Sequence, residues 1–222
     1  MGNIMTEQSE ISREREDKEN GYQRRRRETR RLLMEAGLAL FVERQVEQVS
    51  IERITARAGV AKGSFYNHFE SRDALFEELI ELTVANLLAK YEAFEPDFDD
   101  PLAFALARSR LAFYTLLSDT GACRLLLQAG PPEQGGAVDR MLRAVLSDRL
   151  SEGMALGSLS HIDPDLAYAA YFGVVTETIA HLLTREDGFD PAAAAEQVTE
   201  LSFAILGLPH QSPLLSPMER EA

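Results

Sequence analysis

Apolar residues recur along this chain at intervals of three and four, and nowhere does an alternation of apolar and polar positions persist long enough to argue for a sheet. The pattern predicts an all-α protein. Leu33, Ala36, Gly37, Leu40 and Phe41 form one such stripe on a first helix expected from about Tyr22 to Glu43. Ser50 is placed to cap a short helix over Ile51 to Ala58, with Glu52 in its first turn, where the helix dipole favours a negative charge. Gly59-Val60 ends it, a second short helix follows over about Ala61 to His68, and Ser71 caps a long helix from about Arg72 to Tyr91. Later breaks at EPDFDDP, AGPPEQGGA, LGSLSHIDPD and REDGFDP separate helices predicted near 102–118, 122–128, 138–154, 164–184 and 191–207. The tail LPHQSPLLSPMEREA carries three prolines and is not expected to pack as a helix.

The two short helices make a unit. Ile51, Ile54 and Ala58 share one face of the first, while Val60, Phe65 and Phe69 point inward from the turn and the second, forming a small core with Leu40 and Phe41. Two short helices joined by a glycine turn, with a longer helix behind them, predict a helix-turn-helix. If Phe65 and Phe69 are buried, Lys62, Gly63, Tyr66 and Asn67 share the exposed side. That face suits a major groove. Lys62 reaches guanine acceptors or a phosphate, Gly63 lets the backbone approach, and Tyr66 offers a ring to a thymine methyl and a hydroxyl to a phosphate. Ser64, His68 and Arg72 flank it with phosphate-binding chemistry. The bland alternative, that Tyr66, Asn67 and His68 merely cap or pack a surface turn, suits any one of them alone but not the joint arrangement.

The charge changes the picture from one module to two. The net charge is −13, yet from Gly21 to Arg72 eleven Lys/Arg face six acids, a balance of +5, and from Asp73 to the end nine basic residues face twenty-four acids, a balance of −15. The basic end can meet a polyanion; the acidic remainder repels one. Within the run QRRRRETRR, Arg30 and Arg31 belong to an exposed helix face. Arg24 to Arg27 sit at the junction with the first twenty residues, which are polar and expected to be mobile; there the run is either a solvated face or an arm for a minor groove.

Residues 50–76, SIERITARAGVAKGSFYNHFESRDALF, resemble the DNA-binding signature of TetR-family transcriptional regulators. The resemblance implies that Lys62 and Tyr66 face bases, and that Ser50, Ser64, Asn67, His68 and Arg72 contact the DNA backbone or cap helices. It departs from the family pattern at Gln45-Val46, where Gly-Tyr or Gly-Phe is usual, and at Ala61, where Ser or Thr is usual. Over the rest of the chain only the helical layout is similar. The organisation expected is a mobile arm at 1–21, a three-helix DNA-binding domain at 22–71, a larger helical ligand-binding and dimerisation domain at 72–207, and a tail at 208–222.

A groove reader this small binds tightly when paired, so a homodimer on double-stranded DNA carrying a pseudo-palindromic operator is expected. The resemblance implies a four-helix bundle between partners built from the helices at 164–184 and 191–207, where Ala169, Ala170, Gly173, Ala194 and Ala195 permit close approach; burial of these helices within one chain is the alternative. The middle helices are expected to enclose a small hydrophobic effector, with Phe104, Arg110, Phe113 and Tyr114 as candidate ligand residues. Arg110 shares the stripe Leu102, Leu106, Ser109, Phe113 and Leu117, and a buried cation there needs either a ligand carboxylate or an internal acid, the latter favoured. Glu177 and His181 read as a hydrogen-bonded structural pair ahead of a site.

The remaining chemistry is sparse. The single cysteine, Cys123, cannot form an intramolecular disulfide and lies in an apolar run, as an inert buried thiol. No Cys/His cluster has metal-ligand spacing, no cofactor signature is present, and the apolar runs are too short to span a bilayer, so no metal, no cofactor, no membrane and a cytoplasmic location are expected. The rival readings are an all-helical enzyme acting on a hydrophobic substrate and an architectural DNA-binding protein without effector. Against the enzyme, the chain lacks a Gly-x-Ser-x-Gly elbow and a phosphate loop, and His68, His161, His181 and His210 are far apart in sequence.

Overall fold

The computed structural model describes residues 2–94, 100–129, 136–141, 143, 163–205 and 207. Among them every regular element is helical: α1 (Gly2–Glu43), α2 (Ile51–Ala58), α3 (Lys62–Tyr66), α4 (Arg72–Ala93), α5 (Pro101–Leu117), α6 (Thr120–Gln128), α7 (Pro164–Leu182) and α8 (Pro191–Ile205), with a single 3-10 turn at Val46–Gln48. Residues 137–141 and 143 are also helical; the rest of the helix predicted at 138–154, and the tail at 208–222, lie outside the described residues.

The backbone of α1 departs from expectation. It is helical from Gly2, where the start was expected near Tyr22. An apolar stripe marks only the part of a helix that has something to bury, whereas residues 2–20 include five Glu and two Arg, which favour helix without burial.

The chain divides into two compact units, Met1–Leu79 and Ile80–Ala222. The division falls inside α4, not at the expected 71/72 junction, because the first turns of α4 complete the first unit's core. Leu33, Leu40, Phe41, Ile54, Phe65, Phe69, Leu75 and Leu79 are all buried there. Gly37 is needed for this contact: a β-carbon on it would lie 2.8 Å from Leu75 Cδ2. Phe41 and Phe76 meet edge-on with centroids 5.0 Å apart. α2 differs in detail from its predicted face. Thr55 is buried, its hydroxyl donating to the Ile51 carbonyl at 2.9 Å, while Ile51 and Ala58 are half-buried.

In the second unit α5 packs on α6 and α8, and α7 packs on α6 and α8. Three of its helices begin at Asp-Pro. Asp163 accepts from the Asp165 and Leu166 amides at 2.9 and 3.2 Å, and Asp100 and Asp190 cap α5 and α8 similarly. Proline supplies a first helical residue that has no amide to satisfy. The buried hydroxyls of Ser109, Thr199 and Ser202 donate to carbonyls of their own helices. No helix among the described residues is long and apolar enough to cross a membrane.

Candidate nucleic-acid interface and effector cavity

The first site is built by a short turn. Ser50 Oγ accepts from the Arg53 amide at 3.3 Å and so starts α2. Gly59 stops it in the left-handed region, at φ 68° and ψ 29°, where a side chain would be strained. Val60 then turns the chain so that α3 begins at Lys62. Ala61, which stands where a hydroxyl cap is usual, makes no side-chain cap, and the helix is correspondingly short. Phe65 and Phe69 turn inward with ring centroids 5.5 Å apart. Lys62, Gly63, Tyr66 and Asn67 therefore share the exposed side, with Tyr66 at 55 % exposure and no atom within 4 Å of where a Gly63 β-carbon would sit.

The flanking residues are partly committed. Ser64 and His68 are half-buried; Asn67 ends α3 and is exposed. Arg72 reaches back to the Val49 carbonyl at 3.4 Å and pairs with Asp73 at 2.6 Å. Lys62 is held by Glu52 of α2. That hydrogen bond, with help from the Glu52 backbone amide and Ser50, draws the Glu52 carboxyl down to about 2, and Glu52 raises Lys62 in turn. Sequence reading did not foresee this ion pair, since the partners are ten positions apart on different helices.

The second site is a partly open apolar cavity in the second unit, of about 90 Å³. Leu87, Leu88 and Tyr91 of α4, Phe113 and Leu116 of α5, Cys123 and Leu126 of α6, Val138 and Met141, and Tyr171, Val175, Thr176 and Ile179 of α7 contribute to its wall. The described lining holds no charged side chain. The Thr176 hydroxyl already donates to the Phe172 carbonyl at 2.8 Å, and the Cys123 thiol to the Leu116 carbonyl at 3.1 Å. Burial first, then Asp119, pushes the Cys123 thiol up to about 12, the inert form expected of it.

Of the four candidate ligand residues, the structure brings only Phe113 to this cavity. Phe104 lies under the Arg108 guanidinium, 5.3 Å from its ring centroid, and Tyr114 is 44 % exposed on another face of α5. Arg110 meets an internal acid, Glu196 of α8, at 3.4 Å. One helix's stripe shows which side turns inward but not whether a neighbour or a void lies opposite. The wall comes mostly from α4, α6 and α7, whose ordinary apolar residues carry no signal of their own. Glu177 and His181 are both exposed and form no hydrogen bond with each other, correcting the expected pair: the α7 face that carries them, with Ala169, Ala170 and the 68 % exposed Leu166, is uncovered in the single chain. Ala194 and Ala195, by contrast, are buried within the chain.

The family described as bacterial regulatory proteins, tetR family, matches residues 33–79. The transcriptional repressor DhaR of Mycobacterium sp. is 44% identical over 52 residues, spanning 23% of this chain and 26% of that one. A fatty acid metabolism regulator of Bacillus subtilis is 23% identical over 182 residues, covering 76% of this chain and 91% of its own. The crystal structure of the transcriptional regulator FadR from Bacillus subtilis in complex with stearoyl-CoA superposes with a TM-score of 0.56 at 17% identity, over 77% of this chain and 96% of FadR, a likeness of fold. Residues 33–79 thus carry the DNA-binding domain of the tetR family of bacterial regulatory proteins, while the rest of the chain shares the fold of that family's solved structures.

Proposed function

We propose that the protein is a ligand-responsive DNA-binding transcriptional regulator: a dimeric repressor that leaves a pseudo-palindromic operator when a small hydrophobic molecule enters the cavity. The observation that carries the reading is the α3 face, where Lys62, Gly63, Tyr66 and Asn67 are exposed together over the buried Phe65 and Phe69. In this reading Lys62 and Tyr66 reach base edges, and Ser50, Ser64, Asn67, His68 and Arg72 cap helices or touch the backbone. The uncharged cavity lining favours an apolar effector held by Phe113 and its neighbours. FadR's complex with stearoyl-CoA puts ligands that carry a long acyl chain among the classes to screen.

A homodimer through α7 and α8 would cover their exposed Leu166 and Leu201, and a pseudo-palindromic operator asks for two α3 helices about 34–36 Å apart, the spacing of successive major grooves. α4 holds residues of both units, Leu75 and Leu79 in one core and Leu87, Leu88 and Tyr91 in the cavity wall. Ligand entry is proposed to tilt it and spoil the spacing, which requires the ligand to favour the DNA-incompetent state. DhaR is a transcriptional repressor, and in this reading the present protein acts in the cytoplasm, without catalytic activity.

Fluorescence anisotropy on DNA from upstream of its own gene, over several salt concentrations, tests the reading beside a Lys62→Ala/Tyr66→Ala control. Tight, salt-sensitive binding lost in the control is the expected result. Equal, weak binding by both proteins to that DNA and to duplexes from a genome-wide selection would reduce the groove face to an ordinary surface.

A further inference from the structure

α1 builds a second feature that the helix-turn-helix residues do not explain. Tyr22, Arg26 and Arg30 follow at intervals of four, rising on one helix face. With Gln23, Arg27 and His68 they line a notch beside the C-terminal end of α3. The α1 residues all lie outside the matched segment 33–79.

The charges in this notch are unbalanced. Arg30 is anchored: its guanidinium meets both Glu78 carboxylate oxygens at 2.5 Å and lies 5.0 Å from the Phe69 ring centroid. Arg31, Arg57, Lys62 and Arg72 also have carboxylate partners, but Arg26 and Arg27 have none among the described residues. His68 faces Arg26, Arg27 and Arg30 from α1, with the Phe69 ring 6.5 Å from its own and Glu78 of α4 already taken by Arg30. Its pKa lies below the ordinary histidine value, first through burial and then through Arg26 and Arg30. Cations gathered without a counter-charge are relieved by an anion. Guanidinium groups bind phosphate oxygens through paired N–H donors, and a tyrosine hydroxyl and an imidazolium N–H add further donors.

We propose that this notch seats a backbone phosphate of duplex DNA beside the groove that α3 enters, making α1 a phosphate clamp that sets the protein's register without reading sequence. The proposal rests on the DNA-binding reading above. Duplex DNA is the partner that fits because the notch adjoins the exposed Lys62, Tyr66 and Asn67 face, in the stretch of the chain with a +5 balance. Arg26 and Arg27 are the exposed donors, Arg30 the fixed wall, and Tyr22, 63 % exposed, the upper rim.

The test uses the full chain and a labelled mixed-sequence duplex. Arg26→Gln is expected to weaken binding about tenfold at low salt, equally across sequences, and to lower the slope of log affinity against log salt by about 0.9, one phosphate contact. Tyr22→Phe is expected to lose less, with an unchanged slope. Duplex binding is expected to raise the His68 pKa, followed by NMR, so affinity increases as pH falls from neutral toward the free protein's value. That increase disappears in His68→Gln. If Arg26→Gln retains wild-type affinity and slope while Lys62→Ala weakens binding, the clamp is wrong and the regulator reading stands. If wild type shows no salt-dependent duplex binding, both fall. If inorganic phosphate moves His68 and the duplex does not, the notch holds a small anion and the DNA assignment is overturned.

Discussion

The two units put chemistry on opposite sides of their helices. In the first, apolar residues are consumed by a small core, and polar side chains face out around α3, many of them paired. In the second, carboxylates outnumber basic residues in the sequence, and the notable feature is an apolar cavity among α4, α5, α6 and α7. An interface for a polyanion is a matter of surface charge and is encoded by neighbours in sequence; a site for an apolar molecule is a packing defect, encoded by what several distant segments fail to fill.

The sharpest break in this comparison would come from Cys123, which lines the void. With its thiol at about 12 against an ordinary 9.0, it is expected to react with a disulfide reagent at neutral pH roughly a thousandfold more slowly than the unfolded chain does. Fast native labelling would mean that Cys123 faces the open mouth and is not packed into the wall. Next, Lys62→Ala with Tyr66→Ala is expected to cost about a hundredfold or more in operator affinity, from two base-directed contacts. Thermal melting and binding of an apolar dye are expected to stay unchanged; loss of the dimer in this variant would count against separate modules.

Packing inside the first unit is tested by Gly37→Ala. The new methyl meets the buried Leu75, and we expect a loss of about 1–3 kcal/mol in chemical denaturation. An unchanged midpoint would show that α1 and α4 are less tightly apposed than described.

The smallest effect concerns the paired surface itself. Glu52→Gln frees Lys62 and removes an acid from the groove face, so duplex binding should tighten a few-fold at low salt, and the gain should shrink as salt rises. The sign of its pH dependence follows from the lowered carboxyl: the pair's contribution to stability is complete above the ordinary 4.5 and is lost as pH falls toward about 2. A Glu52→Gln protein with the wild-type acid profile would show that the pair contributes nothing.

Much of the first unit was legible before folding was considered. The capping Ser50, the left-handed Gly59, and the alternation of buried Phe65 and Phe69 with exposed Lys62 and Tyr66 are all local, because a helix three or four residues long on each face leaves little choice of orientation. The second unit was legible only as a set of helices. Phe104, Arg110 and Tyr114 looked like ligand residues on the strength of residue type, yet Arg108, Glu196 and solvent claim them.

Sequence by itself determined the helical class, the Ser50 cap, helix starts near 164 and 191, and the exposed side of α3, since periodicity and capping act over a few residues. Only the tertiary structure decided that Glu52 holds Lys62, that Arg26 and His68 share a notch in which Glu78 pairs with Arg30 alone among the described residues, and that Cys123 lines a cavity. Those features depend on distances between helices, and the chain specifies such distances through the packing of many side chains at once, not through any one of them.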